Sequence, residues 1–207
     1  MIPTDSTEDL SDTVRLQFVR GVAVLLIDNP PVNGLGNTVR AGLYRGLEYA
    51  IADPRVLAVV ITGAGRMFCG GADIRQFNTP AVTEPPLSRD LQALIHQTGK
   101  PVVAAIHGAA LGGGLELAMA CHFRVASPQA QLGLPEVQLG LIPGGGGTQR
   151  LPRIIGVRAA LDLIVHGRSL SAAQAQASGL LDAVFDDDLL QAAVGFAVER
   201  AASGTPL

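Results

Sequence analysis

The chain predicts an α/β fold built on parallel strands, and three observations carry that expectation. Two uninterrupted apolar runs, 56–62 and 102–106, have the composition of strands covered on both faces. Each run leads into a glycine-rich turn, so a strand–turn–helix unit recurs at 56–76 and 102–120. Beyond 152 the spacing of apolar residues is mostly helical. Strands that alternate with helices pack as layers around a mostly parallel sheet.

Each element follows in order. Residues 1–13 are polar and acidic and are expected to be a flexible N-terminal segment. Residues 14–19 and 22–27 predict two strands joined by a tight turn at Arg20-Gly21. The cluster Asp28-Asn29-Pro30-Pro31-Val32-Asn33-Gly34 stops the second strand. Val39, Leu43, Leu47 and Ala50 recur at helical spacing across 38–52, and Asp53-Pro54 ends that helix. After the first apolar run, 63–73 is a glycine-rich loop. The stretch 78–88, with Pro80, Pro85 and Pro86, reads as a mobile surface loop, and 89–97 as a short amphipathic helix. The second run leads into a helix at 111–120, and 122–126 is a third strand. Residues 143–147 form another glycine turn, with Thr148 as the expected N-cap of the next helix. Helices are expected at 157–166, 171–178 and 189–202, with Ser171 and Asp188 as N-caps, and 203–207 as a tail. The folded domain is therefore expected over 14–202.

A chain of 207 residues is large enough for one domain with a sizeable core. Hydrophobic residues make up 48% and charged residues 16%, a globular balance. Aromatics are only 4% and Trp is absent, so Ala, Val, Leu and Ile must build the core. A net charge of −3 leaves no basic stripe for nucleic acid. Cys69 and Cys121 fit no metal motif and are expected to be reduced intracellular thiols. The N-terminus lacks the basic and apolar regions of a signal peptide, and no apolar run approaches a membrane span. A soluble cytoplasmic protein without nucleic-acid or membrane partners is expected.

Two glutamates stand out chemically. Glu116, in Gly112-Gly113-Gly114-Leu115-Glu116, sits on a helix where the positions one turn away are Gly112, Gly113, Met119 and Ala120. Glu136, in Gly133-Leu134-Pro135-Glu136-Val137, stands among apolar residues. Carboxylates in such settings suit acid–base chemistry. Each glycine turn can also turn a backbone amide toward a ligand. The second turn places the Gly113 N–H at a helix N-terminus, where free donors and the dipole favour an anion. The segment Gly63-Ala64-Gly65 invites a dinucleotide reading but fails it: Phe68 occupies the third glycine position, and the acidic residue expected after a second strand is missing. Cys69 reads as a packed residue, His107 and His122 as hydrogen-bonded support. Arg66 and Arg75 are candidates for meeting phosphates. No Ser–His–Asp set is legible, since Ser127 precedes Pro128.

Four separated motifs resemble the enoyl-CoA hydratase (crotonase) superfamily, in the right order. They are Gly70-Gly71-Ala72-Asp73-Ile74; Lys100 to Gly108 running on to Leu111-Gly112-Gly113-Gly114-Leu115-Glu116; Gly133-Leu134-Pro135-Glu136; and Gly147-Thr148-Gln149-Arg150-Leu151. The resemblance covers about 14–200 and implies a ββα-repeat spiral with layered parallel sheets flanked by helices. It implies that Ala72 and Gly113 supply the oxyanion-hole amides, and that Glu116 and Glu136 hold a water and add it across an enoyl thioester. It also implies that Gly71, Asp73, Ile74, Arg75 and Gly114 contact the CoA thioester. The site would need no metal, NAD or other cofactor, the acyl-CoA thioester being the substrate. Both acids at these positions make hydration of trans-2-enoyl-CoA the first expectation. Isomerisation of 3-enoyl-CoA to 2-enoyl-CoA and a non-catalytic CoA-binding domain are the alternatives. Cys121-His122-Phe123-Arg124-Val125-Ala126 and Leu151-Pro152-Arg153 resemble the N-terminal hydratase half of multifunctional fatty-acid β-oxidation proteins. That branch implies fusion to a dehydrogenase half, whereas simpler members form trimers or hexamers. The family's C-terminal helices are expected to be truncated here.

Overall fold

Antiparallel pairing begins the main sheet and parallel pairing completes it. The computed structural model describes residues 7–204. Its strands are β1 (Thr7–Ser11), β2 (Val14–Val19), β3 (Val22–Ile27), β4 (Ala58–Gly63), β5 (Val102–Ile106), β6 (Ala109–Leu111), β7 (Phe123–Ala126), β8 (Gln131–Gly133), β9 (Ser169–Ser171) and β10 (Ala183–Val184). Its helices are α1 (Asn37–Ala52), α2 (Ser88–Gln97), α3 (Gly113–Ala120), α4 (Gly147–Ile155), α5 (Val157–His166), α6 (Ala172–Ala177) and α7 (Leu189–Ser203). The main sheet runs β1-β2-β3-β4-β5-β7-β10. Its first two pairings are antiparallel and the remaining four parallel.

The apolar runs behave as expected of doubly covered strands. Every residue of β4 and β5 is buried. Val59, Ile61, Val102, Ala104 and Ile106 face a core shared with α1, α2 and α3; Ala58, Val60, Val103 and Ala105 face α7 through Ala193, Val194 and Ala197. Cutting a fully buried side chain such as Ile61 to Ala would cost about 2–5 kcal/mol. A second, small sheet, β6-β8-β9, stands beside the first. It is joined to the first repeat by a parallel bridge between Cys69 and Ala110.

Several expectations need correction. The flexible segment 1–13 is too long: Thr7–Ser11 is a strand paired to β2, and Leu10 packs on the core, so the edge of β2 orders a polar stretch with no pattern of its own. The rest of that expectation, 1–6, and the end of the tail, 205–207, lie outside the described residues. The segment 109–111, expected partly as helix, is strand β6. Thr148 does not cap α4, which starts at Gly147 after Gly146, whose φ of +95° turns the chain. The loop 78–88 is not loose. Arg40, on α1, donates from Nε to Pro86 O (2.8 Å) and from Nη2 to Ala81 O (3.0 Å) and Glu84 O (3.2 Å). Ser171 and Asp188 cap α6 and α7 as expected.

Candidate active site

The two glycine turns meet through the main chain. Phe68 N donates to His107 O (2.9 Å), Cys69 N to Ala109 O (3.1 Å) and Leu111 N to Cys69 O (3.0 Å). This short parallel ladder sets one turn beside the other. The chain then reverses at Gly71 (φ +115°) and Gly112 (φ +50°). Leu35 N holds Gly71 O (2.8 Å), and Gly112 N is tied to Gly133 O (2.9 Å). The N–H groups of Ala72 and Gly113 have no acceptor among the described residues. They lie close together: a Cβ added at Gly113 would sit 3.3 Å from Ala72 N. Two free amides side by side, one at the N-terminus of α3, suit an oxygen that gains negative charge.

Glu116 lies in the first turn of α3 and is only 4% exposed. Its Oε1 accepts from Gly145 N (2.7 Å) and Gly147 N (2.8 Å). The carboxylate thereby satisfies donors at the start of α4, which is why that helix begins without a hydroxyl cap. Burial raises the Glu116 pKa, and the two amide bonds and Arg150 oppose the rise. Glu136 opens a 3-10 turn, Glu136–Leu139, after Pro135. A Cβ at Gly112 would fall 3.1 Å from Glu136 Oε1, so the carboxyl lies over the second glycine turn. Its Oε2 is buried with no partner. Burial raises the Glu136 pKa, and the nearby Glu116 charge raises it further. The two acids thus have unequal surroundings. Glu116 has bonds that favour the carboxylate, and Glu136 has an orphaned oxygen that favours the proton.

One cavity of about 360 Å³ collects Gly71, Ala72, Asp73, Ile74, Gly113, Glu116 and Glu136. Phe77, Val82, Leu139, Leu141 and Ile142 add an apolar wall that sequence reasoning missed. Its signal was the run of large apolar residues just after Glu136, in a segment otherwise rich in glycine and proline. A larger groove of about 790 Å³ runs along α5 past Val157, Leu161 and Val165, but it contains neither turn and neither glutamate.

Two expected contact residues do not line the cavity. Gly114 faces inward: a Cβ there would lie 2.4 Å from Cys69 O, so this glycine permits close packing of the two turns. Arg75 is exposed and forks onto its neighbour Asp73, with Nε–Oδ1 2.8 Å and Nη2–Oδ2 2.9 Å. Asp73 also accepts from Arg75 N and caps the 3-10 turn Ile74–Gln76. The supporting residues behave as read. His122 Nδ1 accepts from Val102 N (3.0 Å), His107 Nε2 meets Gly65 O (3.2 Å), and both cysteines are buried. Burial pushes each thiol up to about 12, which leaves them protonated and unreactive. Among the described residues no helix is long and apolar enough to cross a membrane, and no cluster of His, Cys, Asp and Glu could hold a metal.

The sequence model of the family described as Enoyl-CoA hydratase/isomerase matches residues 17–206. Among curated relatives, the Peroxisomal bifunctional enzyme of Danio rerio is 52% identical over 188 residues, covering 91% of this chain and 26% of that protein. The Peroxisomal bifunctional enzyme of Homo sapiens is 48% identical over 176 residues, covering 85% of this chain and 24% of that protein. The chain therefore spans about a quarter of the length of these relatives. Among solved structures, an enoyl-CoA hydratase from Bacillus anthracis superposes with a TM-score of 0.81 at 36% identity, covering 97% of this chain and 77% of that one. An enoyl-CoA hydratase from Thermoplasma volcanium GSS1 gives 0.83 at 30% identity, covering 95% and 79%. With the glycine turns, the paired glutamates and these matches in hand, the chain belongs to the enoyl-CoA hydratase/isomerase family.

Proposed function

We propose that this chain is an enoyl-CoA hydratase, adding water across the 2,3 double bond of a trans-2-enoyl-CoA to give the 3-hydroxyacyl-CoA of fatty-acid β-oxidation. The observation that carries this reading is the convergence of two free amides and two unequal carboxyl groups on one cavity. The thioester oxygen docks on Ala72 N–H and Gly113 N–H, which stabilise the enolate as it forms. Glu116, as the carboxylate, takes a proton from a water held between the acids. The resulting hydroxide bonds to C3 as the π electrons move to the thioester oxygen. Glu136, protonated beforehand, delivers its proton to C2 as the carbonyl re-forms. One water is consumed, and passing the proton from Glu116 back to Glu136 resets the pair. Every step is assigned to this chain's own residues, with the CoA thioester as substrate and no cofactor.

The apolar wall of Phe77, Val82, Leu139, Leu141 and Ile142 suits the acyl chain. The test follows loss of enoyl-thioester absorbance with crotonyl-CoA and with a medium-chain 2-enoyl-CoA. Glu116→Gln and Glu136→Gln should each lower kcat by about 10²–10⁴-fold. Hydration at wild-type rate in either variant would sink the mechanism. The buried, unpartnered oxygen of Glu136 also supports a second reading, a one-carboxylate proton shuttle that isomerises 3-enoyl-CoA to 2-enoyl-CoA. This activity would survive in part in Glu116→Gln.

Larger partners follow from the relatives. Their names, bifunctional and multifunctional, and their length support a hydratase unit fused to a second catalytic half, a dehydrogenase by the sequence resemblance, ahead of a free-standing trimer or hexamer. Those relatives are named peroxisomal or glyoxysomal, and they lend nothing to the cytoplasmic placement expected from composition.

A further inference from the structure

Beside Glu116, α2 and α4 are joined by a polar cluster that the hydration chemistry does not use. Gln92 is 8% exposed and donates from Nε2 to Gly145 O (2.8 Å). Its Oε1 accepts from Arg150 Nη1 (3.0 Å), which also donates to Gly145 O (3.2 Å). Arg150 Nη2 meets His96 Nε2 at 3.0 Å. A guanidinium only donates, so this histidine nitrogen accepts and the ring is neutral with its proton on Nδ1. Burial and the Arg150 charge both lower the His96 pKa, in keeping with that assignment. Gly145 is therefore gripped at both ends: its carbonyl by Gln92 and Arg150, its N–H by Glu116.

We propose that Arg150, held by Gln92 and His96, is a positioning residue of this site: it fixes the Gly145–Gly147 turn against Glu116 and supplies the positive charge that faces that carboxylate. The inference rests on Glu116 acting as the ionised base.

The other charged groups around Glu116 do not supply this charge. Glu136, from the turn after β8, adds a like charge when ionised. Arg40, from α1, borders the same cavity but spends its guanidinium on the carbonyls of Leu35, Ala81, Glu84 and Pro86. Arg75 is exposed and committed to Asp73. Arg124, on β7, is committed to Asp182, Leu180 O and Cys121 O. Arg150 instead reaches the Gly145 carbonyl beside Glu116 and acts in the sense that favours the carboxylate. A role confined to packing would change stability and rate and leave the titration of Glu116 where it was.

The test is the titration of Glu116 in the wild type and in Arg150→Met, Arg150→Lys and Arg150→Gln. It is read in two ways: the acid limb of kcat/KM for crotonyl-CoA, and the ¹³C resonance of the Glu116 carboxyl, assigned by its loss in Glu116→Gln. Arg150→Met should raise both midpoints by about one pH unit. Arg150→Lys keeps the charge and should leave the midpoints near wild type while lowering kcat, because the fork onto Gln92 and Gly145 is lost. Arg150→Gln keeps a polar donor toward Gln92 and Gly145 but removes the charge, so it should also raise the midpoints; it decides the matter if Arg150→Met does not fold. An unmoved carboxyl resonance in a folded Arg150→Met or Arg150→Gln overturns the proposal, as does a shift in Arg150→Lys equal to that in Arg150→Met. A shifted resonance in a wild-type protein that hydrates nothing leaves the positioning role standing and removes the hydratase reading instead.

Discussion

Gly145 offers a sharp test of how closely Glu116 must be held. Its φ is not among the positive values, so alanine suits the backbone there. The obstacle is the carboxyl itself. An added Cβ would lie 2.5 Å from Glu116 Oε2 and 3.0 Å from Cδ, with Gln92 Nε2 at 3.4 Å. Carbon–oxygen contacts settle at about 3.3–3.6 Å, so in Gly145→Ala the carboxylate must retreat by roughly 1 Å. A displacement of that size at a catalytic group costs about 100-fold in rate. The overpacking should cost about 1–3 kcal/mol in stability. The assay is crotonyl-CoA hydration, with kcat and KM separated and a melting curve for each variant. The loss should fall on kcat, because the thioester still meets Ala72 and Gly113. In a cycle with Glu116→Gln the two losses should fail to add, since both act through one carboxyl group. A folded Gly145→Ala that hydrates at the wild-type rate, or losses that add fully, would refute the claim that this turn aims Glu116.

Other outcomes follow from the same structure. With both thiols pushed up to about 12 by burial, Cys69 and Cys121 should resist a disulfide reagent at neutral pH in the folded protein and react once denaturant is added. Arg40→Met leaves the carbonyls of Leu35, Ala81, Glu84 and Pro86 without their donor; it should cost about 1–3 kcal/mol and speed proteolytic nicking of the 78–88 loop. Because that loop borders the cavity through Val82 and Ser88, KM should rise more than kcat falls. His122 accepts from Val102 N, and burial, His96 and Arg124 depress its pKa to about 4. A base depressed in the folded state favours folding above its unfolded pKa of about 6.5 and loses that contribution as pH falls toward 4. The melting temperature should therefore drop between these values, and less so in His122→Asn. Glu116 and Glu136, whose pKa values the fold raises, act in the opposite sense and weaken the fold as pH rises through their folded values.

The parts of this fold that were legible in the sequence are those whose pattern is long enough to show. The buried runs in β4 and β5, the hairpin β2–β3 and the helices α1, α5 and α7 all span enough residues for a period to register. The second sheet was missed because Ala109–Leu111, Gln131–Gly133 and Ser169–Ser171 have three residues each, too few to display alternation. Glu116 was conspicuous as a charge among glycines and alanines, yet its partners Gly145 and Gly147 lie 29 and 31 residues away and read only as a turn. The pairing of Arg75 with Asp73, two residues back, was not legible from spacing. Gln92 and Arg150 looked like ordinary polar positions on two helices, and only the packing of α2, α3 and α4 makes them neighbours.

The ladder between Phe68–Cys69 and His107–Leu111 has a consequence for how such a protein can vary. The separation of the Ala72 and Gly113 amides is written in main-chain hydrogen bonds, which any side chain of fitting size leaves intact. Replacements along these strands are thus buffered, whereas inserting or deleting one residue between 69 and 72, or between 110 and 113, throws the two amides out of step. The pair of amides is thus specified as a register and the pair of glutamates as individual residues. On the proposed reading, exchanging the acids would therefore redirect the chemistry while the amides keep their place.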